Sequence, residues 1–402
     1  MFHIHKQENH TRGLALNLLL CASSVSIFLG GSELLAQLKY TPQKLEYSGM
    51  FEYDSEKVFD LRSNNDSYYH GGHFTTNSRG LRGKEISLEK PENTVRVLVV
   101  GDSISFGHGV NDNETYSYFL EQSLNRYFTE REGAPAFEVI NTSVPGNSPF
   151  QEYHDMKRGL AYDPDIIVLQ ITLNDIIEEN AGWILEEMGM EEGNLENVSR
   201  DFVFGKQNMT SLDNALRQHS AFYLFLKDMQ TRIQFQDPTG KNTAEKAKRR
   251  EKFTAGLLVD EPENPEVEDA WKNALSWLHR MIAIAQEQNI PLILIVTPFN
   301  FQFSRETELA HPQRKLQEFA TEENIHYIDM LGILWQLLVE KTDKEKTANQ
   351  IIAECRQNDS PLLQDFWEMF FLDYDHPSPT GHELMANILQ PAILNTLHLA
   401  AE

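Results

Sequence analysis

The sequence predicts an α/β fold with a central parallel sheet covered by helices on both faces. Short aliphatic runs such as residues 97–100 and 166–171 are bounded by glycine or polar turns, which is typical of strands buried on both faces. Amphipathic stretches with a helical period lie between these runs, as from Tyr116 to Tyr127. The alternation of strand and helix predicts a three-layer sandwich with about five strands.

The individual elements follow from the same patterns, taken in chain order. Strands are predicted at residues 97–100, 137–141, 166–171, 290–296 and 325–328. Helices are predicted at residues 116–127, 271–285, 331–339 and 384–389. Ser378 followed by Pro379 is a typical start for the last of these helices, because serine caps a helix and proline suits its first position.

Segments outside this pattern divide the chain further. Residues 33–93 lack a long periodic stretch and are predicted to be an irregular extension packed on the main domain. The main domain is expected over residues 94–402, with an insertion at 176–268. Within the insertion, one helix is predicted from about residue 211 to 235. Its middle is apolar on every side, which favours a helix buried between elements over a lid that lines an acyl pocket.

The N-terminal segment has the features of a membrane anchor. Residues 13–31 carry no charge and are just long enough to span a bilayer as a helix. Lys6 and Arg12 precede them, so residues 1–12 are predicted to lie in the cytoplasm and the main domain to face the periplasm or the cell exterior. A cleaved signal peptide is the alternative, but no clear Ala-x-Ala cleavage site follows the apolar run.

Composition excludes several classes of function. The formal net charge of −25 leaves no excess of basic residues to neutralise phosphates, so a nucleic-acid partner is not expected. The chain has two cysteines, Cys21 and Cys355, which cannot form a disulfide framework. Metal-ligand motifs such as His-Glu-x-x-His are absent from the sequence, so neither a metal nor a cofactor is predicted.

Five residues at strand ends and in the last loop have the chemistry of acyl transfer. Ser103 follows the first strand at the sheet edge where such folds bind ligands. A serine nucleophile needs a base and an orienting carboxylate, which His376 and Asp373 can supply from one loop. The backbone N–H of Gly146 and the amide of Asn174 can stabilise a developing oxyanion. Turn and helix-cap roles explain each residue singly, but all five together favour catalysis.

At these residues the sequence resembles the SGNH/GDSL hydrolases. The matching motifs, in order, are Gly101-Asp-Ser103, Gly146, Asn174-Asp175 and Asp373-x-x-His376-Pro. The resemblance implies a flavodoxin-like sheet and a metal-free serine esterase. It makes Ser103 the nucleophile, His376 the base and Asp373 its orienting partner, with the Ser103 N–H, Gly146 and Asn174 as the oxyanion hole.

Four features qualify or extend this resemblance. The anchor, the insertion and the stretch Asn77–Gly83 are similar to those of envelope-anchored bacterial members. Asp375 competes with Asp373 as the orienting group. Thr172 stands where the family usually has glycine, and its side chain is expected to narrow the pocket. Arg79 and Arg82 are interpreted as loop braces paired with carboxylates rather than as an anion site.

The leading hypothesis is a membrane-anchored serine esterase that hydrolyses short acyl esters, acetyl among them, of a small molecule or glycan. An O-acetyltransferase that passes the acyl group to a glycan is the alternative within enzymes, because only the acceptor differs. A non-catalytic envelope scaffold that keeps the fold is the alternative outside enzymes. The sequence does not indicate an oligomeric state.

Overall fold

The computed structural model describes the main body of the chain and parts of the N-terminal segment and of the insertion. The described residues are 20–21, 23–37, 50–129, 131, 133–177, 216, 219–223, 225–226, 255–304, 311–341, 350, 353 and 361–400. The chain divides into two units, residues 1–45 with 207–246, and residues 46–206 with 247–402. The predicted tail at 1–12 and most of the predicted insertion lie outside the described residues.

Two short antiparallel hairpins precede the main sheet. β1 (Phe51–Asp54) pairs with β2 (Val58–Leu61), and β3 (Asp66–Tyr69) pairs with β4 (Gly72–Thr75). The prediction of irregular structure is wrong here, because four-residue strands are too short to show a period. The pair Gly71-Gly72 could have indicated the second hairpin, because the turn between β3 and β4 places Gly71 at φ +90°, a conformation that favours glycine.

The hairpins are not isolated from the main domain. They share a hydrophobic core with the loops that follow the first two strands of the main sheet. Its buried members are Met50, Val58, Phe59, Leu61, Phe74, Phe106 and Val144. The two hairpins therefore pack against the end of the sheet where ligands of parallel α/β folds bind.

Five parallel strands form the central sheet, in the spatial order β6-β5-β7-β8-β9. The strands are β5 (Thr94–Val100), β6 (Ala136–Asn141), β7 (Ile166–Ile171), β8 (Leu292–Val296) and β9 (His326–Asp329). Every side chain of β7 and β8 is buried, which explains why these strands read as continuous apolar runs. The predicted sheet is confirmed, and its strand limits differ by a few residues.

Helices cover both faces of the sheet. They are α1 (Ser103–Phe106), α2 (Tyr116–Phe128), α3 (Pro149–Leu160), α4 (Leu173–Ile177), α5 (Pro265–Glu287), α6 (Phe301–Ser304), α7 (His311–Glu322), α8 (Met330–Lys341), α9 (Pro361–Phe370) and α10 (Pro379–Thr396). α3, α5 and α7 pack on one face, against side chains such as Leu98 and Ile167. α2 and α10 pack on the other, against Val97 and Val168. This is the predicted three-layer sandwich.

The N-terminal unit contains helical residues at 20–21 and 23–36. Glu33 accepts the backbone N–H groups of Ala221 and Phe222 at 2.7 and 3.1 Å, which joins the two described pieces of this unit. Several large apolar side chains of the helix are exposed: Leu20, Val25, Ile27, Phe28, Leu29, Leu34 and Leu35. Within the described residues, no helix combines the length and apolar character needed to cross a membrane. Residues 13–19 of the predicted span lie outside them.

Candidate active site

The candidate nucleophile stands where β5 turns into α1. Ser103 is the first residue of α1, and Asp102 caps this helix because its Oδ1 accepts the Ile104 N–H at 3.0 Å. Gly101 leaves no room for a side chain, since a Cβ there would lie 2.6 Å from Ser105 Oγ. The tight turn holds Ser103 at the carboxyl edge of the sheet, with only 8% of its surface exposed.

The candidate base faces this serine directly. Oγ of Ser103 lies 2.9 Å from Nε2 of His376. His376 belongs to the loop between α9 and α10, residues 371–378, which we call the base loop. Two backbone hydrogen bonds of 2.8 Å close this loop, from Leu372 N–H to the carbonyl of His376 and from Ser378 N–H to the last carbonyl of α9. They fix the backbone that carries the ring.

Two carboxyl groups, Asp373 and Asp375, flank Nδ1 of His376, and we call them the base-loop carboxyls. Asp373 Oδ2 lies 2.9 Å from Nδ1, and its Oδ1 accepts the backbone N–H of His376 at 3.0 Å. Oδ1 of the buried Asp375 lies 3.0 Å from the same nitrogen. The structure therefore places the orienting carboxylate predicted from sequence beside the base, and its competitor as well.

These contacts set the charge of the site. Burial alone raises the pKa of Asp373, but the hydrogen bond and positive charge of His376 outweigh it and lower the pKa below its ordinary value. Burial lowers the pKa of His376, whereas the charge of Asp375 and the hydrogen bond to Asp373 raise it well above 6.5. An Nδ1–H directed at a carboxylate leaves Nε2 of the neutral ring free to accept the serine proton.

The predicted oxyanion donors lie at the ends of three neighbouring strands. The loop after β6 carries Gly146, whose φ of +83° lies in the left-handed region that favours glycine. Asn174 is the second residue of α4, directly after β7, and its amide donates to the carboxyl of Asp102. Because β6, β5 and β7 are adjacent and parallel, the loops bearing Gly146, Ser103 and Asn174 share one edge of the sheet.

Comparison with known proteins agrees with this arrangement. The model of the GDSL-like lipase/acylhydrolase family matches residues 99–384, which is more than half of the chain. The chain belongs to this family. It is an enzyme that acts on ester bonds. No protein in the search of curated sequences matches it.

Three solved structures illustrate the similarity of this acylhydrolase to other proteins. Esterase EstA from Pseudoalteromonas sp. is 12% identical, covers 76% of this chain and 100% of its own, and has a TM-score of 0.35. An acetylxylan esterase from Geobacillus stearothermophilus is 14% identical, with coverages of 76% and 95% and a TM-score of 0.35. LAE5 from the metagenome of Lake Arreo, Spain, is 14% identical, with coverages of 77% and 97% and a TM-score of 0.37.

A second set of acidic groups lies beneath the site of the acylhydrolase. Asp102, Glu152 and Asp175 are buried, and we call them the floor carboxyls. Burial, together with the charges of neighbouring acids, raises the pKa of Glu152 and Asp175 well above their ordinary values. Burial also raises the pKa of Asp102, against the hydrogen bond from Ile104 and the charge of His376.

Asp102 and Asp175 have local hydrogen-bonding roles, and Glu152 was not identified from the sequence. Asp102 does cap α1, and Asp175 Oδ2 accepts the Thr172 N–H at 2.7 Å. Neither carboxylate oxygen of Glu152 has a hydrogen-bond donor among the described residues. An acidic residue in the first turn of a helix is ordinary, so its position in α3 carried no signal.

The structure shows the contacts of two residues that the sequence analysis singled out, Thr172 and Arg82. Thr172 is fully buried, and its Oγ1 donates to the carbonyl of Thr297 at 3.3 Å, so its side chain is held against the neighbouring strand end. Arg82 braces a loop, as predicted, because its Nε donates to Asp112 Oδ1 at 2.9 Å.

One group of three described side chains has the spacing of metal ligands. His108, Asp373 and His376 each place a ligand atom within 4.8 Å of the others. The rings of His108 and His376 are stacked, however, with centroids 3.7 Å apart and planes 18° apart. In-plane lone pairs of two stacked imidazoles run side by side rather than toward one point. The Nδ1 of His376 is also engaged by Asp373, so these residues do not fit a metal centre.

His382 has a structural role between two helices. It is fully buried at the start of α10, and its Nδ1 accepts the backbone N–H of Tyr116 at 3.2 Å. Burial, with the charges of Arg82 and His376, lowers the pKa of His382 to about 3. The ring is therefore neutral near pH 7, and it joins α10 to α2 through this hydrogen bond.

Proposed function

We propose that the protein is a serine esterase that removes short acyl groups, acetyl among them, through an acyl-serine intermediate. The contact of Ser103 Oγ with His376 Nε2 at 2.9 Å carries the proposal. Asp373 at the other ring nitrogen supports it, because a carboxylate there stabilises the imidazolium that forms during attack. Asp375 places a second carboxylate beside the same nitrogen, with Oδ1 3.0 Å from Nδ1 of His376.

The reaction proceeds in two balanced steps. Ser103 Oγ attacks the ester carbonyl while its proton passes to His376 Nε2, and the oxyanion is bound by the Ser103 N–H, the Gly146 N–H and the Asn174 amide. The intermediate collapses, the C–O bond to the alcohol breaks, and His376 returns the proton to the leaving oxygen. Water then gives a proton to His376 and attacks the acyl-serine. The bond between the acyl carbon and Ser103 Oγ breaks, and His376 returns the proton to Oγ as the acid leaves.

The limited exposure of the site favours a small acyl group. Ser103 and His376 are 8% and 6% exposed, so a carbonyl carbon must come close to two nearly enclosed side chains. A methyl or short alkyl substituent meets this demand more readily than a long chain. The alcohol must extend toward solvent, which suits a sugar hydroxyl.

The location of the enzyme is a further part of the proposal. We infer that residues 13–31 anchor the chain in a membrane and that the main domain faces the periplasm or the cell exterior. The charge-free stretch supports this, as do the exposed side chains of Val25, Ile27 and Phe28. Cell fractionation after alkaline extraction tests it. Retention of the full-length chain in the membrane pellet is expected, and release into the soluble fraction contradicts anchoring.

Activity profiling tests the chemistry. The full-length chain is expected to hydrolyse p-nitrophenyl acetate faster than p-nitrophenyl octanoate, and to be labelled by a fluorophosphonate probe. Ser103→Ala is the matched control and should lose both signals, while Ser105→Ala, two residues along, should retain labelling. A folded wild type that is neither labelled nor active contradicts the proposal and favours a scaffold. Transfer of acetate to an added glycan in preference to water contradicts hydrolysis and favours an acetyltransferase.

A further inference from the structure

Three imidazole rings form a continuous stack that ends on the candidate base. The ring of His108 lies against His376, with centroids 3.7 Å apart and planes 18° apart. His70 covers the opposite face of His108 at 4.0 Å and 26°. Tyr69 meets the rings of His70 and His108 edge-on, with centroid distances of 4.7 and 5.0 Å. The stack runs from an exposed residue, His70, to the nearly buried His376.

The inner ring of the stack is carried by a fixed backbone. The N–H of His108 donates to the carbonyl of Ser103 at 2.9 Å, so it shares the short turn that bears the nucleophile. The Arg82 guanidinium donates to the carbonyls of Phe106, Gly107 and Val110, each at 2.7 Å. These hydrogen bonds hold the backbone before and after His108 and so restrict the movement of the loop.

The outer ring of the stack comes from the N-terminal extension. His70 occupies the turn between β3 and β4, two residues from Gly72. A Cβ on Gly72 would lie 2.3 Å from the carbonyl oxygen of Val110, so the hairpin lies directly on the loop that carries His108. The hairpin therefore packs the ring of His70 against the loop that carries His108, next to the candidate active site.

A stacked ring has a specific value for a general base. His376 must keep Nε2 aimed at Ser103 and Nδ1 aimed at Asp373 while it gains and loses a proton. Tilt of the ring about its Cβ–Cγ bond breaks both alignments, and small misplacements of reacting groups slow catalysis steeply. A flat neighbour at 3.7 Å opposes that tilt, and its π face favours the imidazolium that forms during attack.

We propose that His108 is a positioning residue for the reaction, holding the plane of His376, and that His70 of the hairpin holds His108 in turn. This inference rests on the proposed function. It assigns the N-terminal extension a part in catalysis without contact with the reacting atoms.

Substitutions at position 108 distinguish the effect of a flat aromatic ring from the effect of side-chain volume. In the full-length chain, His108→Ala is expected to lower kcat for p-nitrophenyl acetate by about threefold to tenfold, the worth of one aromatic pair, with little change in KM. His108→Phe restores a flat ring and should recover most of the loss, whereas His108→Leu fills the space without a flat face and should not. His70→Ala should cause a smaller loss in the same direction.

A spectroscopic measurement makes the outcome independent of turnover. The downfield proton resonance of His376 Nδ1–H should be sharp in the wild type and in His108→Phe, and broadened or lost in His108→Ala. The same comparison in a Ser103→Ala background shows the effect where no reaction occurs.

The possible failures are distinguishable. If the wild type is neither active nor labelled, the proposed function fails. If the wild type is active and His108→Ala keeps its kcat and its Nδ1–H resonance, only the positioning role is overturned. A rise in KM at unchanged kcat also overturns it, because that result assigns His108 to substrate binding.

Discussion

The base-loop carboxyls and the floor carboxyls lie at the same edge of the sheet, yet their surroundings differ. Asp373 accepts from the ring of His376 and from two backbone N–H groups, so its pKa is lowered despite burial. Glu152 and Asp175 are buried beside other acids, so their pKa values are raised. The surroundings of Asp373 therefore favour its charged form, whereas burial favours the protonated form of Glu152 and Asp175.

This difference suits the two halves of the reaction. In the proposed reaction, an imidazolium would develop at His376, and negative charge beside it would lower the barrier. In the proposed reaction, an oxyanion would develop near Asn174 and Gly146, where an ionised floor carboxyl would repel it. A protonated acid removes that repulsion and can donate a hydrogen bond. Acidic residues thus suit both sites, because burial and the nearest hydrogen-bond donors determine whether the charged or the protonated form is favoured.

Removal of the charge at the base loop is expected to have the largest effect. Asp373→Asn keeps the shape but favours the wrong ring tautomer, which costs about 10⁴-fold in kcat where a triad has one carboxylate. Asp375 lies 3.0 Å from the same nitrogen, so we expect a smaller loss in the single variant and the full loss in Asp373→Asn/Asp375→Asn. Steady-state kinetics of the two variants checks this. Equal losses would show that Asp375 provides no compensation.

The oxyanion side should show the next largest effect. Asn174→Ala removes one donor and is expected to lower kcat by about 10²–10³-fold, or about 2.7–4 kcal/mol of transition-state stabilisation. The loss should appear in kcat rather than in KM, since the donor acts on charge that develops only during attack. Rates within a few fold of wild type would remove Asn174 from the oxyanion hole.

Asp375 allows the pH dependence to be tested. His376 must be neutral to act as base, and its pKa lies well above 6.5, so kcat/KM should rise with pH through a midpoint above 6.5. The negative charge of Asp375 favours the imidazolium, hence Asp375→Asn should move that midpoint to lower pH. A pH–rate profile of both proteins measures the shift. A shift to higher pH is incompatible with the charge assigned to Asp375.

Neutralisation of a floor carboxyl should preserve activity and stability, in contrast to neutralisation of a base-loop carboxyl. The folded-state pKa of Glu152 is raised above 4.5, so its stabilisation is present at low pH and is lost as the pH rises toward the folded value. Glu152→Gln stays neutral throughout. We expect it to keep activity within about threefold and to match or exceed the wild-type free energy of unfolding at pH 8, measured by urea denaturation. Marked destabilisation at pH 8 would indicate an ionised Glu152.

The smallest effect is expected at His382, which lies outside both sets. Its folded-state pKa of about 3 is below the ordinary 6.5, so the unfolded chain takes up a proton first and stability falls as the pH drops from 6.5 toward 3. His382→Asn offers Oδ1 to the Tyr116 N–H but does not titrate, and its stability should fall less steeply between pH 6.5 and 4.5. Identical slopes in urea titrations would exclude a buried neutral imidazole.

The sheet and the candidate catalytic residues could be predicted from the sequence for different reasons. β5, β7 and β8 are aliphatic throughout because both faces are buried, and that composition is visible in the sequence. Ser103, Asn174 and the base loop were predictable because family motifs mark them. β1 to β4 were missed, since strands of four residues show no period and their pairing depends on turns.

Other features depend on contacts between distant residues. His108 stacks on a residue more than 250 positions away, and no local pattern encodes such a pair. The raised pKa of Glu152 likewise arises from burial in the fold and from the charge of Asp102 on another element. A sequence shows which residues can ionise, whereas their charge is decided by neighbours that only the fold brings together.

The most direct measurement is the mass of the protein during turnover. Wild type quenched in acid while it hydrolyses an activated acetyl ester should carry one acetyl group on the peptide that contains Ser103. Ser103→Ala should show no adduct. An acetyl group found on another residue, or steady hydrolysis with no covalent adduct under any quench time, would contradict the account.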